Sequence, residues 1–410
     1  MIELYPYQEQ GAQFLRERRF AYLADGMGLG KTAQAIRGAC DTGFTHFIVV
    51  APASLIPNWR TEIQRFRARP TAQFHLMSYA SLKNYQATQN PSSTPLVIFD
   101  EAHYIKNPES LRTQAALIMI EEYGSAWFLS GTPMPNDPSE LWIPAKVAGL
   151  TEMSYHRWRT RYCRIQKYSI TVNTRWGPRQ RQVERVNGVR HKKELKEMFL
   201  EGEQFMLRRT LDNIRLQLPP LRVETTSLPM SGTHRSDEID RWTDTLDQDW
   251  TRAMKMIGLE KILPIVQMVE AEFRDQNRRH LVIMAKHLEV IDKVEHALKM
   301  RSVTPYKITG RIPVEKRTKI IDQWRQEPGV LIVQQDAGGT GLNLQQANEI
   351  ILMEPGWSPD LNLQAIKRIH RIGQKEPCRA RMFFMPGTRD RNVIEALANK
   401  MEMQKEVGIA

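Results

Sequence analysis

Short runs of consecutive apolar residues alternate along this chain with longer stretches whose apolar side chains recur every three or four positions. Runs at 20–24, 46–51, 74–78, 96–99 and 126–130 have the length and continuity of strands buried on both faces. Between them, 32–40, 55–67 and 110–122 carry helical spacing, the last through Leu111, Ala115, Leu117, Ile118 and Ile120. Pro57 falls early in the second of these, where its missing N–H costs little. The alternation breaks and then resumes near Gly258, with strands at 281–285, 305–308, 330–334, 349–353 and 380–385. Helices are expected there at 259–276, 287–299, 313–326 and 359–370. Strands that alternate with helices require parallel sheets, so the fold class is α/β with two similar lobes in tandem. No repeat is visible at the level of residues.

The interruption between the lobes is of a different kind. From Tyr155 to Lys193 there are twelve Lys or Arg residues against a single acid, Glu184, so eleven of the chain's twelve net positive charges fall here. Tyr155, Trp158, Tyr162, Tyr168 and Trp176 are interleaved with them. Basic and aromatic residues together suit a phosphate backbone and, in single strands, stacked bases; a solvated basic face is the plainer alternative. Glu194 to Leu211 reads as helical, and Leu218-Pro219-Pro220-Leu221 punctuates the chain as a linker would. The expected organisation is a first lobe at 1–150, a basic, partly helical insertion at 151–221, a linker and second-lobe protrusion at 222–257, and a second lobe at 258–410.

Composition narrows the class. Two or three domains fit 410 residues, and 41% hydrophobic with 25% charged content is that of an ordinary globular protein. No apolar run approaches the roughly 18 residues a membrane span needs, and Met1-Ile2-Glu3-Leu4 does not start a secretory signal. Cys40, Cys163 and Cys378 are scattered, which points to neither zinc nor a disulfide framework and fits a reducing, cytoplasmic setting.

Two segments carry chemistry. Gly26-Met27-Gly28-Leu29-Gly30-Lys31-Thr32 follows an apolar strand and precedes a helix, an order that turns backbone N–H groups and a helix N-terminus toward phosphate oxygens. Lys31 suits the β/γ-phosphates and the Thr32 hydroxyl suits Mg²⁺. The strict phosphate-loop pattern has Gly where Asp25 stands. Leu96-Val97-Ile98-Phe99 ends on Asp100 and Glu101, at the carboxyl end of a strand where α/β sheets bind ligands. Asp100 suits a metal contact and Glu101 the activation of water.

Taken in order, these and other segments resemble superfamily-two helicases, specifically the SWI/SNF-like DNA-translocating ATPases. Leu4-Tyr5-Pro6-Tyr7-Gln8-Glu9-Gln10 is similar to that family's adenine-recognising segment, with Gln8 as the reader. Asp25 to Thr32 is similar to its phosphate loop, departure from the strict pattern included. Val49-Val50-Ala51-Pro52-Ala53-Ser54-Leu55 with Asn58-Trp59 resembles a DNA-contacting motif, and Ser130-Gly131-Thr132-Pro133-Met134-Pro135-Asn136 the motif that links ATP state to lobe movement. Phe205-Met206-Leu207-Arg208-Arg209-Thr210 before Leu218-Pro219-Pro220 resembles the stretch that ends the family's first-lobe insertion. Asp336 to Leu344 and Gln364 to Gln374 resemble long second-lobe motifs. Gly26 departs from the acidic residue usual at its place, and Gln334-Gln335 from small ones. Arg161-Tyr162-Cys163 and Gly188 to Leu195 are most similar to the compact fork-remodelling, strand-annealing type.

The resemblance implies two RecA-like lobes and a DNA-stimulated ATPase that tracks along duplex or branched DNA without reading sequence. It places ATP·Mg²⁺ against Gln8, Asp25, Gly26, Met27, Gly28, Leu29, Gly30, Lys31, Thr32 and Gly341, with Thr32 and Asp100 toward the metal. Lys31, Asp100 and Glu101 would be catalytic together with Arg368 and Arg371, which sit three apart at a helix end and approach from the other lobe. His103, Ser130, Thr132 and Gln364 would couple nucleotide state to DNA grip, and Pro52, Ser54, Arg157, Arg159, Arg161, Arg175, Arg179, Arg181 and Arg190 would touch DNA. Short insertions and the absence of accessory domains suggest a prokaryotic or viral source. Two rivals stay open: a strand-separating DNA or RNA helicase, and an ATP-regulated nucleic-acid-binding adaptor without turnover.

Overall fold

The computed structural model describes residues 3–67, 69–82, 85, 94–174, 177–201, 205–210, 218–228, 250–275, 279–335, 342–356, 359–371, 373–388 and 390–406. The chain divides into two compact units: Met1–Lys167, Glu184–Leu216 and Asn399–Ala410 form one, Tyr168–Val183 and Gln217–Ala398 the other.

In the first unit, β1 (Phe20–Leu23), β2 (His46–Ala51), β3 (Gln73–Ser78), β4 (Leu96–Asp100) and β5 (Ala126–Leu129) pair in parallel. Two long strands, β6 (Cys163–Thr174) and β7 (Gly177–Val189), form a separate ribbon whose stretch Tyr168–Val183 belongs to the second unit, and β8 (Met206–Leu207) adds to the first unit's sheet beside β1. The sheet order is β3-β2-β4-β5-β1-β8, so the carboxyl ends of β4, β5 and β1 stand side by side. Alternation along these strands sends Tyr22, Phe99 and Phe128 into one apolar layer and Phe47, Ile98 and Trp127 into the other. Flanking helices start where side-chain chemistry permits. Ser110 caps Leu111–Tyr123 by accepting from Thr113 N, and Gly124 ends it in the left-handed region.

In the second unit, β9 (Leu221–Ser227), β10 (Leu281–Ala285), β11 (Pro305–Ile308), β12 (Val330–Gln334), β13 (Glu349–Leu352) and β14 (Cys378–Phe384) form another all-parallel sheet, in the order β11-β12-β10-β13-β14-β9. The α/β class with two parallel sheets is therefore as expected, and the strand positions agree within two residues.

Four local expectations need correction. The basic insertion is helical over Tyr155–Tyr162 and again from Lys192 to Glu201; between these runs lies the β6–β7 ribbon, whose charged residues hid a strand pattern. The expected helix from Glu194 to Leu211 ends at Glu201 through one π-turn, and Met206–Leu207 is a strand, because Phe205 and Met206 are drawn into the core. Leu221–Ser227, all but the first expected in a linker, pair along β14 in a seven-residue register; residues 229–249 of that expected linker lie outside the described residues. The expected helix 259–276 is two, Trp250–Glu260 and Ile262–Asp275, because Pro264 can neither donate to nor sit against the Glu260 carbonyl. Buried Lys261 at the break bonds Asp390 Oδ2 at 2.6 Å and the Phe383 carbonyl at 2.8 Å.

Candidate active site

Three loops leave the adjacent carboxyl ends of β1, β4 and β5. The first is the phosphate loop. Gly28 and Gly30 take φ of +85° and +74°, a region that favours glycine, and a side chain on Gly30 would also meet Gln8 Nε2 at 2.4 Å. The Lys31–Cys40 helix begins directly after Gly30, so its free N–H groups face the loop. Lys31 Nζ folds back onto the loop, donating to the carbonyls of Asp25 (2.8 Å) and Gly26 (3.3 Å). Burial pushes its pKa below the ordinary value, against the pull of Glu101, Asp25 and Asp100. A cationic group desolvated in this way gains most from an incoming polyanion. The Leu29 carbonyl accepts from Tyr7 Oη, Gln8 Nε2 and Gln34 Nε2, which fixes the adenine-side segment to the loop. Asp25 offers no free carboxylate: its side chain is fully buried and bonded by Arg209 and Gln34, so only its carbonyl faces Lys31.

The second loop carries the carboxylates. Asp100 Oδ2 accepts from the Trp59 indole at 2.7 Å, Oδ1 accepts from Glu101 N at 3.0 Å, and the Asp100 carbonyl accepts from Tyr79 Oη at 2.9 Å. Burial and then the Glu101 charge push the Asp100 carboxyl up to about 6, although Trp59 and Lys31 oppose them. Glu101 is a non-glycine residue at φ 51°, ψ 54°, a sparsely populated conformation that the surroundings enforce. Its Oε2 lies 3.4 Å from His103 Nδ1. The third loop answers the second: His103 Nδ1 is 3.1 Å from Ser130 Oγ, and Thr132 N donates to the same oxygen at 3.1 Å. Burial, helped by Lys106, holds His103 down to about 4, so the imidazole is neutral at pH 7.

Pro52 and Ser54 follow β2 at the same sheet edge. Arg368 and Arg371 lie in the second unit. The expected helix there ends at Ile366, and i→i+3 bonds carry the chain through Arg368 and Ile369. Arg368 and Arg371 therefore share a tightened turn and bend, not a helix face, and Gln364 remains on the helix. Gln374 fixes the turn from below, donating to the Gln345, Ala347 and Ile369 carbonyls, while His370 Nε2 bonds the Pro219 carbonyl at 2.8 Å. Gly341 lies outside the described residues, as does Arg175.

The basic ribbon differs from its sequence reading in one respect. Arg157, Arg161, Arg179, Arg181 and Arg190 are exposed, Arg159 pairs with Glu184, and Arg161 makes a two-pronged pair with Glu194. Trp158 and Tyr162, read as base-stacking candidates, are fully buried; Trp158 Nε1 donates to the Pro138 carbonyl and the two rings pack 4.4 Å apart. They root the ribbon and cannot stack on a ligand. Sequence reasoning missed Tyr79, Gln34, Arg208 and Arg209 as site neighbours, and read Trp59 only as part of a segment resembling a DNA-contacting motif. The Arg208–Arg209 pair stood within a recognisable motif, but its partners are about as far away in sequence as one lobe is long.

The described residues contain no cluster of three or more His, Cys, Asp or Glu that could cage a metal, and no helix long and apolar enough to cross a membrane. One carboxylate and one hydroxyl, Asp100 and Thr32, are the sparse oxygen set that Mg²⁺ tolerates when phosphates complete its shell.

Comparison with known proteins places this geometry. The SNF2-related domain matches residues 7–78 and 67–237, and the helicase conserved C-terminal domain matches 260–373. An uncharacterised ATP-dependent helicase of Mycoplasma genitalium is 25% identical over 98% of this chain and 42% of its own length. Human DNA annealing helicase and endonuclease ZRANB3 is 24% identical over 95% and 39%. The Drosophila melanogaster SWI/SNF-related matrix-associated actin-dependent regulator of chromatin subfamily A-like protein 1 is 25% identical over 99% and 56%. This chain thus spans between two fifths and three fifths of the relatives it matches. With more than half of its residues under the SNF2-related domain and a helicase C-terminal domain following it, the chain belongs to the SNF2-related, SWI/SNF-like family of superfamily-two ATPases.

Proposed function

We propose that this protein is a DNA-stimulated ATP hydrolase that translocates on duplex DNA and acts on forks, annealing strands or bound proteins. The observation that carries it is the convergence of Lys31, Asp100, Glu101, His103 and Ser130 on one edge of one parallel sheet, inside the SNF2-related match. The phosphate loop and Lys31 bind the β/γ-phosphates, with Gln8 at the adenine side. Thr32 and Asp100 would hold Mg²⁺, which would supply neutralisation of phosphate charge. Glu101 orients and deprotonates the attacking water. Neutral His103 links Glu101 to Ser130 and Thr132, so the state of the γ-phosphate reaches the β5 loop as a change in hydrogen bonding. Arg368 and Arg371 complete the site when the lobes close, which makes turnover conditional on closure. Exposed ribbon cations grip phosphates, which makes binding tolerant of sequence and steep in salt.

ATP turnover with duplex, single-stranded and forked DNA and with RNA, at one salt concentration, tests the reading. Stimulation by duplex and forked DNA is expected. Stimulation by RNA alone would replace it with an RNA helicase, and tight ATP binding without turnover on any nucleic acid would favour an adaptor.

A further inference from the structure

The Phe205–Thr210 segment has no part in the chemistry above, yet it wraps the phosphate loop. Tyr22 N donates to the Phe205 carbonyl, Ala24 N to that of Leu207 and Gly26 N to that of Arg209, each at 2.8 Å. Strand pairing thus continues past β1 into the loop itself. Arg209 then closes the loop with its side chain. Nε and Nη2 bond the two Asp25 oxygens at 2.9 and 2.6 Å, Nη2 also reaches Gln34 Oε1 at 3.0 Å, and Nη1 donates to the Tyr7 carbonyl. The guanidinium lies 5.5 Å from the centre of the Tyr7 ring. Arg208 Nη1 bonds the Ala24 carbonyl at 2.8 Å and that of Gly131 at 3.3 Å, joining the loop to the Ser130–Thr132 turn.

Two features show that this cluster is built in. Asp25 stands where the strict loop pattern has glycine, and its carboxylate is wholly engaged here. Gly11 sits in the middle of the Pro6–Arg16 helix, where glycine weakens a helix, because a side chain there would stand 1.7 Å from Gln34 Oε1 and 2.7 Å from Arg209 Nη2. The same segment is anchored at its other end to the root of the ribbon. Phe205 and Met206 share one apolar cluster with Trp158, Tyr162, Val189 and Phe199. The Phe205 ring lies 6.2 Å from Phe199 and 6.3 Å from Tyr22.

We propose that Arg209 is a positioning residue for the phosphate loop, and that through it the root of the basic ribbon sets how tightly the loop holds a nucleoside triphosphate. The second half of this statement rests on the reading of the ribbon as a DNA grip. A guanidinium fork is needed because one group must donate to four acceptors, both Asp25 oxygens, Gln34 Oε1 and the Tyr7 carbonyl, and an ammonium has only three N–H bonds. Removing Arg209 alone would strand a buried carboxylate, so the test uses a neutral pair and a conservative variant.

In the full chain, affinity for a fluorescent non-hydrolysable ATP analogue is measured with and without saturating duplex DNA, for wild type, Arg209→Lys and the double variant Asp25→Asn/Arg209→Gln. Duplex affinity and thermal unfolding are followed in parallel. Duplex should tighten analogue binding by wild type about fivefold or more. Both variants should melt cooperatively, hold duplex within about twofold of wild type, bind analogue about tenfold more weakly, and lose the duplex effect. A cooperatively melting variant with wild-type analogue affinity overturns the positioning role. A weakened variant that keeps the duplex effect, or a wild type that binds duplex without any change in analogue affinity, overturns the coupling. A wild type that binds no duplex overturns the DNA reading itself, and the positioning role is still decided by analogue affinity alone.

Discussion

The phosphate-loop edge and the basic ribbon carry most of this chain's functional charge, and they hold it in opposite ways. At the loop edge each ionised group has an assigned partner: Asp25 has Arg209, Asp100 has the Trp59 indole and Glu101 N, and Lys31 has two loop carbonyls. In the ribbon, Arg179 and Arg181 are exposed, Arg190 reaches the Thr160 carbonyl at 3.4 Å, and the ion pairs near its root are exposed. Buried, assigned charge is worth much per group and fails all at once. Exposed charge is worth little per group, adds up, and is screened by salt.

Between these two regions, the larger effect should come from the loop edge. Glu101→Gln should lower ATP turnover at least about a hundredfold while analogue affinity holds, measured by phosphate release beside equilibrium binding. Turnover within a few-fold of wild type would show that the strained Glu101 backbone serves something other than water activation. Next is the buried root of the ribbon. Trp158→Ala should cost about 3–5 kcal/mol in chemical denaturation, because it empties a fully enclosed site. A small cost, with a large loss of DNA affinity, would return Trp158 to a ligand-contacting role. The mildest is the ribbon surface. Arg179→Gln, Arg181→Gln and Arg185→Gln together, three exposed arginines of β7, should flatten the logarithmic salt dependence of duplex affinity by about 0.9 for each phosphate that is no longer neutralised. Their thermal midpoint should stay put. An unmoved slope would make the ribbon a solvated insert or a protein-docking surface.

This contrast also explains what was legible in the sequence. Strands such as Leu96–Asp100 and Leu281–Ala285 are buried along their whole length, so each reads as an unbroken apolar run with one interpretation. The β6–β7 ribbon and β9 are polar strands at or beyond a sheet edge, where period-two patterning is weak and charge dominates the reading. The loop, the acidic pair and the Ser130–Thr132 turn were legible because each is local. The Asp25–Arg209 pair was not, since 184 residues separate its members and neither segment announces the other. The tightened turn through Arg368 was hidden for a similar reason: Pro219, which His370 bonds, lies 151 residues away in sequence.

The central claim is the proposal that the phosphate-loop edge hydrolyses a triphosphate and needs Arg371 to do so. Arg371→Ala tests it most directly, by steady-state ATP turnover on saturating duplex alongside equilibrium binding of an ATP analogue. Turnover should fall about a thousandfold with analogue affinity nearly unchanged. Wild-type turnover in that variant would contradict the claim.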